Sequence, residues 1–238
     1  MDLVPGEFRF FQEMRQMEWP LPINELKVVS QVEPPKFQEE EEEEEKEEEE
    51  KQSKMAAGIG MRLMKQRTVM LAGEINKALA DRITSQLLVL DGEASDKPIK
   101  IFINSPGGDA DAGFAMYDMI RFIKSPVTTI SAGLCASAAV LVLMGAPKER
   151  RFAMPNSRIL IHQPSTAIHG FVADIQIEAS EIVKCRDRIT KIIADETGQR
   201  IEKVQDDTRR NYWMSAEESK AYGLVSKVVQ SRDELEIQ

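Results

Sequence analysis

Histidine and cysteine are the scarce reactive residues of this 238-residue chain, which contains only two of each. The cysteines, Cys135 and Cys185, have neither the spacing of metal ligands nor the density of a disulfide scaffold. We therefore predict that both are packed thiols and that the protein resides in a reducing compartment, the cytoplasm. An imidazole base, the usual one near neutral pH, must come from one of two side chains.

A basic excess is also missing. The segment from Glu39 to Glu50, with eleven Glu and one Lys, contributes −10 to a formal net charge of −9, so all other residues together sum to +1. The acidity is therefore local and says nothing about the substrate. Because phosphate recognition needs a stripe of Lys and Arg, nucleic acid is not expected as a partner.

Targeting and membrane segments are not predicted. The first residues lack a basic stretch followed by an apolar run, so a secretory signal is not expected. Residues 127–146 are mostly apolar or small, but Thr128, Thr129, Ser131 and Ser137 interrupt them. A buried strand followed by a buried helix explains this stretch better than a membrane span does.

The chain divides into two predicted parts. Residues 1–60 are predicted to be a mostly disordered acidic extension, because Pro20, Pro22, Pro34 and Pro35 break any long element and the glutamate run repels itself. The run is either a solvated linker or a binding tail for a basic partner. Residues 61–238 are predicted to form one folded domain.

From Thr68 onward, short apolar strands alternate with amphipathic helices, which indicates crossover connections and a largely parallel sheet. Strands are predicted at 68–71, 99–103, 127–130, 158–161 and 224–229. Helices are predicted around Ile75, Leu79, Ile83 and Leu87, at 110–123, from Ser137 to Met144, and from the capping box at Ser215 to Gly223.

A long helix is predicted from Phe171 to Glu196, which contains no Pro or Gly and ends at Gly198. At 1.5 Å per residue it would be roughly 35–40 Å long. Part of so long an amphipathic helix is expected to pack outside its own domain, most simply against another subunit.

Ser137 and His162 are the candidates for chemistry. Ser137 lies after a glycine-containing turn, at the start of an apolar helix whose N-terminus offers unpaired N–H groups. Taken singly, a serine there is more often a cap, and a histidine at a strand end is more often structural. Gly107 and Gly108 end another strand, and strand ends of an open parallel sheet meet at one edge. The combination favours a serine nucleophile with a histidine base.

Four segments resemble the proteolytic subunit of the ATP-dependent Clp protease, the ClpP family. They are 102–108 (FINSPGG), 112–118 (AGFAMYD), 136–138 (ASA) and 151–164 (RFAMPNSRILIHQP), within a match from about Arg67 to Val229. The resemblance implies an α/β fold of the ClpP/crotonase-like type, with a head of repeated ββα units and a helical handle over about residues 166–198. It also implies heptameric rings that stack as a tetradecamer around a closed chamber.

The resemblance assigns the site residue by residue. Ser137 matches the nucleophile and His162 the general base, while the N–H groups of Gly108 and Ala138 fall where the family binds the oxyanion. Asn211, however, stands where the family usually has the aspartate of the triad.

An amide oxygen at Asn211 can still orient the imidazole, but it has no charge to stabilise the imidazolium, which leaves weak or conditional activity open as an alternative. Asp207 is the reserve candidate, because it would share a face with Asn211 if this stretch were helical.

Contacts with other chains are also implied only by the resemblance. Gly170 and the segment after it fall at the handle strand, and Arg210 falls at an arginine that takes part in inter-ring contact. Lys100 stands where the family often has an aromatic residue in the pocket for an unfoldase's loops. The acidic extension replaces short axial loops, so both departures affect the expected docking of an AAA+ unfoldase.

The expected function is that of a ring-forming, ATP-dependent serine endopeptidase subunit that degrades unfolded proteins in protein quality control. Neither a cofactor nor a metal is expected in this chain, because it lacks a Gly-x-x-x-x-Gly-Lys-Ser/Thr loop and the unfoldase would use the ATP. The alternative is a weakly active or inactive structural subunit of a mixed ring with a paralogous subunit. An acyl-CoA enzyme of the crotonase type is disfavoured by the Ser/His pair.

Overall fold

The computed structural model describes Met55 and residues 57–235. The strands are β1 (Thr68–Ala72), β2 (Ile99–Ser105), β3 (Val127–Ala136), β4 (Arg151–Ala153), β5 (Arg158–Ile161), β6 (Tyr212–Ser215) and β7 (Lys227–Val228). After a helix over 57–65 come α1 (Lys77–Glu93), α2 (Ala110–Phe122), α3 (Ala138–Gly145), α4 (Val172–Thr197), α5 (Ile201–Asp207) and α6 (Ala216–Tyr222). The predicted acidic extension lies outside the described residues, except for its helical end at 57–60.

One seven-stranded sheet organises these elements, and the α/β class is confirmed. Strands β1, β2, β3, β4 and β7 pair in that order and all in parallel, as the alternation of strands and helices predicts. β3 also pairs with two further strands in succession: its residues 129–131 pair with β4, and its residues 134–136 pair with β5. β5 also pairs with β6, the only antiparallel pairing in the sheet over the described residues.

The register of β2, β3 and β5 brings their carboxyl ends together. Ser105 of β2 pairs with Cys135 of β3, and Ala136 of β3 pairs with Leu160 of β5. The residues that follow each strand therefore meet at one edge of the sheet. This edge contains Gly107, Ser137 and His162, as the sequence predicts.

Helix α3 is buried at every residue, from Ala138 to Gly145. All eight side chains are apolar or absent, so this helix can fill the core without an unpaired polar group. The apolar stretch 127–146 is thus a buried strand followed by a buried helix, as predicted. In the described part of the chain, no helix is long and apolar enough to cross a membrane.

Helix α4 has two contrasting halves. Residues 171–181 are exposed, whereas Thr190, Ile193, Ala194 and Thr197 are buried against the head. The long helix predicted at 171–196 is confirmed within one residue at each end.

The packed end of α4 is held by the carboxylate of Glu196, which contacts the guanidinium of the buried Arg151. It also accepts from Arg121 Nη1 at 2.8 Å and from the Tyr117 hydroxyl at 3.0 Å. Burial of Tyr117, together with the hydrogen bond from its hydroxyl to Glu196, raises the pKa of Tyr117 to about 12. The buried charge of Arg151 is therefore paired and hydrogen-bonded.

Several predicted boundaries are wrong for identifiable reasons. Helix α1 begins at Lys77, because the Asn76 side chain accepts from the Leu79 N–H at 2.9 Å and caps it, so Ile75 precedes the helix. β3 continues through Gly133 to Ala136, and β7 contains only Lys227 and Val228. The strands β4 and β6 and the helices over 57–65 and α5 were not predicted. The two strands and α5 are too short to show a hydrophobic period.

Candidate active site

Ser137 lies at the junction between β3 and α3, in a backbone conformation with φ 56° and ψ −123°. Among described residues other than glycine, only Arg67 and Ser137 have positive φ. The Ser137 N–H donates to the Leu160 carbonyl at 2.9 Å, which fixes this turn against β5. The glycine-containing turn predicted before Ser137 does not exist, because Gly133 lies within β3.

The Ser137 hydroxyl does not cap α3, although the residue occupies the N-cap position. Its Oγ lies 2.8 Å from Nε2 of His162 instead. This contact rules out the capping role that a serine at a helix start usually has. A strained backbone that aims a hydroxyl at an imidazole is the arrangement expected of a nucleophile.

His162 is held between Ser137 and Asn211. Its Nδ1 lies 3.1 Å from Oδ1 of Asn211, on the side opposite to the contact with Ser137. The antiparallel register explains this contact, since Ile161 of β5 pairs with Tyr212 of β6 and the next residues outward are His162 and Asn211.

The tautomer that satisfies both contacts carries its proton on Nδ1. Nδ1–H then donates to the Asn211 amide oxygen, and the Nε2 lone pair accepts the Ser137 hydroxyl proton. Asn211 is exposed, whereas His162 and Ser137 are half-buried. The arrangement can therefore deprotonate a serine, with an uncharged amide as the orienting group.

Asp207 does not take the third position. Helix α5 ends at Asp207, so the condition that this residue shares a helical face with Asn211 fails. Its carboxylate accepts instead from Lys203 Nζ at 2.5 Å and from the Tyr222 hydroxyl at 2.8 Å. Burial and the hydrogen bond to Asp207 raise the pKa of Tyr222. Asp207 therefore joins α5 to α6.

Gly107 approaches the nucleophile, and Gly108 approaches Ile75, more closely than any other residue type could. A β-carbon on Gly107 would lie 2.7 Å from the Ser137 Cβ and 2.5 Å from the Ala136 carbonyl oxygen. A β-carbon on Gly108 would lie 2.1 Å from the Ile75 carbonyl oxygen, and its φ is 146°. Both positions require glycine on grounds of space and of backbone conformation.

The backbone N–H groups of Gly108 and Ala138 have no acceptor among the described residues. Ile75 forms a bridge with Gly108 in which Ile75 N–H donates to Gly107 and Asp109 N–H donates to Ile75, so the bridge leaves Gly108 N–H unused. Ala138 is the first residue of α3, where an N–H has no intrahelical acceptor. The sequence did not reveal Ile75 as the residue that positions Gly108, although Asn76 marks the helix start.

A cleft of about 430 Å³ lies beside the Ser137–His162 pair. Its walls include apolar side chains of α3, β5 and α4, namely Val140, Leu141, Met144, Ile161, Ile182, Ile189 and Ile193. Cys185 also lines the cleft and is half-buried, whereas Cys135 is fully buried. Burial raises the pKa of both thiols, so neither is a competing nucleophile near neutral pH.

The two residues assigned to inter-ring contact both lie at the surface. Arg210 is exposed beside Asn211, and Gly170 is also exposed, with a φ of 149°. The segment after Gly170 is not a strand, because α4 begins at Val172. Residues 163–169, before Gly170, belong to no helix or strand, and Gln163 is the member of this stretch whose backbone N–H is hydrogen-bonded, to the Thr208 carbonyl.

Lys100 lies away from the site, in a second cleft of about 540 Å³ that also contains Leu63, Phe102, Met154 and Leu235.

The geometry defines the class of site as that of a serine hydrolase, with a nucleophile, a base, an orienting side chain and two free N–H groups. Comparisons with known proteins agree. A family model described as Clp protease matches residues 50–232. The chain is 53% identical over 174 residues to ATP-dependent Clp protease proteolytic subunit 2 of Treponema denticola, covering 73% of this chain and 87% of that protein. Subunit 3 of Rhizobium etli is 47% identical over 173 residues, covering 73% and 89%.

A solved structure of ClpP1 from Listeria monocytogenes, in a mutant with an Asn-to-Asp substitution, is also similar. Its TM-score is 0.69 at 43% identity, and the match covers 75% of this chain and 99% of that chain. The chain therefore belongs to the Clp protease family. The resemblance found in its motifs is confirmed, as are the ClpP-type fold and a serine-type peptidase of a Clp complex.

Proposed function

We propose that this chain is the proteolytic subunit of an ATP-dependent Clp endopeptidase that hydrolyses unfolded proteins, with Ser137 as the nucleophile. The observation that carries the proposal is the continuous contact from Ser137 Oγ through the His162 ring to Asn211, at 2.8 and 3.1 Å. A serine hydroxyl needs such a base because it is a weak nucleophile on its own.

The proposed reaction follows from the positions of these groups. Ser137 Oγ attacks the peptide carbonyl carbon while its proton passes to Nε2 of His162. The carbonyl oxygen becomes an oxyanion that accepts from the N–H groups of Gly108 and Ala138. His162 then returns the proton to the leaving amine as the C–N bond breaks. Water repeats the sequence on the acyl-enzyme, which releases the second product and restores Ser137.

The apolar walls of the cleft support a preference for apolar side chains next to the scissile bond. The cleft begins at Ser137 and His162 and continues along α3 and α4. Transfer of an apolar side chain from water into such a cleft is favourable by about 2 kcal/mol. Unfolded segments expose such side chains, which fits a substrate that has first been unfolded.

The exposed half of α4 supports assembly with other subunits. Apolar side chains there remain in contact with water, including Phe171 at 83%, Val172 at 74% and Ile177 at 60% exposure. Several large apolar side chains exposed on one short segment are a common mark of a subunit interface. We propose stacked heptameric rings that enclose the sites, with Gly170 and Arg210 near the contact between rings and with copies of this chain or a paralogous subunit as neighbours.

An AAA+ unfoldase is the proposed source of substrate and the only user of ATP, and the proposed chemistry requires neither a cofactor nor a metal in this chain. The apolar cleft around Phe102 and Ile130 supports docking of an apolar segment of that partner, with Lys100 as its charged wall. The reducing cytoplasm is the proposed location, consistent with two free cysteines.

A second candidate function is that of a weakly active subunit that mainly shapes a mixed ring. One observation favours it: the orienting residue Asn211 is uncharged and exposed. Replacement of the triad aspartate by asparagine in a serine protease costs about 10⁴ in turnover.

Labelling with a fluorophosphonate separates the two functions. We expect assembled protein to be labelled at Ser137 and to cleave an apolar fluorogenic peptide, and expect Ser137→Ala to abolish both while rings still form. His162→Ala should abolish both as well, whereas His169→Ala, the only other histidine, is the matched control. Protein that forms rings but is not labelled at Ser137, alone or with an unfoldase and a second proteolytic subunit, would contradict the endopeptidase proposal.

A further inference from the structure

We propose that Gln163 is a positioning residue for the reaction: it fixes the segment that carries Asn211 against the catalytic base. This inference rests on the proposed function, since it concerns the orientation of His162. Gln163 forms no hydrogen bond with the nucleophile or with Asn211 in the described part of the chain, so it acts through the backbone of that segment.

Two hydrogen bonds join Gln163 to this segment. Its backbone N–H donates to the Thr208 carbonyl at 2.7 Å, and its side-chain Nε2 donates to the Arg209 carbonyl at 3.1 Å. Gln163 directly follows His162, and the two carbonyls lie three and two residues before Asn211. One residue next to the base therefore holds two successive peptide groups of the segment that must place the amide.

The segment is supported on its C-terminal side by β6, because Tyr212 pairs with Ile161, but its N-terminal side has weak support of its own. Residues 209–211 lie between the end of α5 and the start of β6, outside any helix or strand. Thr208 is still tied to α5, because its Oγ1 donates to the Val204 carbonyl at 2.7 Å. Beyond it, Arg209 N–H reaches the Asp206 carbonyl at 3.3 Å, and its side chain lies 3.9 Å from Asp206. The hydrogen bond from Gln163 Nε2 to the Arg209 carbonyl is thus nearer to Asn211 along the chain than these bonds are.

An uncharged third residue makes this support more important. A carboxylate attracts an imidazolium through a Coulomb energy that falls gradually with distance. An amide acts only through a hydrogen bond, which weakens steeply when its distance or angle departs from the optimum. A small displacement of the segment should therefore impair orientation by Asn211 more than orientation by an aspartate.

The first test replaces the Gln163 amide and keeps the length of the side chain. Gln163→Met removes the Nε2 donor, and Gln163→Ala removes the side chain. Gln199→Met is the matched control, because Gln199 Nε2 donates to the Tyr222 carbonyl at 2.9 Å in another part of the head. We expect both Gln163 variants to lower kcat and the rate of Ser137 labelling about fivefold, the equivalent of one neutral hydrogen bond, with KM changed less than twofold.

A double-mutant cycle tests the route of the effect. If Gln163 acts through Asn211, Gln163→Met should lower the labelling rate in the natural chain but not in an Asn211→Ala background, and its loss should shrink in an Asn211→Asp background. Hydrogen exchange measured by mass spectrometry gives a readout that does not depend on activity. Peptides covering 208–211 should exchange faster in Gln163→Met than in the natural chain, whereas their exchange rate should be unchanged in Gln199→Met.

The outcomes separate this inference from the proposed function. Equal losses in all three backgrounds, or a Gln163→Met enzyme with unchanged kcat, labelling and exchange, would overturn the positioning role while Ser137 chemistry stands. Absence of labelling in the natural chain would overturn the proposed function, and the exchange measurement would still decide whether Gln163 orders the segment.

Discussion

The two halves of the site are built in different ways. The nucleophile half, with Gly107, Gly108 and Ser137, consists of backbone packed so closely that neither glycine has room for a β-carbon. The orienting half, with Asn211, lies on an exposed segment and depends on a few hydrogen bonds. The contrast teaches where change is tolerated: the chain keeps glycine on the packed side and departs from the expected aspartate on the exposed side.

The largest effect is expected at Gly108. Gly108→Ala should lower peptide turnover about a hundredfold or more, because the Ile75 carbonyl must move and the oxyanion N–H moves with it. It should also lower the free energy of unfolding by about 2 kcal/mol, since alanine disfavours the left-handed region. Kinetics with a fluorogenic peptide and thermal unfolding measure the two effects.

Gly92→Ala is the control for Gly108→Ala, because a β-carbon at this exposed position of α1 meets nothing within 4 Å. It should leave turnover unchanged and raise the free energy of unfolding by about 0.5–1 kcal/mol. If Gly108→Ala behaved like Gly92→Ala, the packed half would be as tolerant as the exposed half and the contrast would be lost.

The next effect sharpens the contrast from the exposed side. Asn211→Asp should raise turnover by about tenfold or more, because a carboxylate stabilises the imidazolium that forms during attack. The gain should remain well below the roughly 10⁴ seen for a buried aspartate, since water screens an exposed charge. Asn211→Ala should lower turnover. Steady-state kinetics at low and high salt decide the matter, and unchanged turnover in both variants would remove Asn211 from the site.

The smallest effect is expected at Asp207. Asp207→Asn should leave turnover within about twofold, because its carboxylate contacts Lys203 and Tyr222 and not His162. The free energy of unfolding should fall by about 1 kcal/mol through the weakened bond between α5 and α6. Thermal unfolding and peptide kinetics measure these values, and a large loss of turnover at unchanged stability would restore Asp207 as a third catalytic member.

The elements with a long hydrophobic period were predictable, and those that depend on partners far along the chain were not. Helix α4 was found within one residue because its period extends over many turns. β6 was missed because its four residues become a strand only through pairing with β5, some fifty positions earlier. Asp207 could not be dismissed from sequence, because its exclusion depends on where α5 ends and on the contact of its carboxylate with Tyr222 of α6.

Within the site, the sequence alone favoured Ser137 and His162, and the family resemblance added Asn211, Gly108 and Ala138. No local pattern predicts the role of Ile75. This residue lies in a different loop, and its carbonyl leaves no room for a β-carbon on Gly108. Nor does any pattern show that Gln163 reaches the carbonyl of Arg209, since that contact is created by the register of β5 and β6. Neighbours from separate strand ends become visible only in three dimensions.

The φ of 56° at Ser137 implies a trade between catalysis and thermodynamic stability. Such a backbone costs about 1–3 kcal/mol in any residue with a β-carbon, whether or not it has a hydroxyl. Ser137→Ala therefore inactivates the site but keeps this cost, whereas Ser137→Gly removes it. At this position glycine should be the more stabilising of the two, which is the reverse of the usual order. The nucleophile thus occupies a position where the best residue for folding is one that has no chemistry at all.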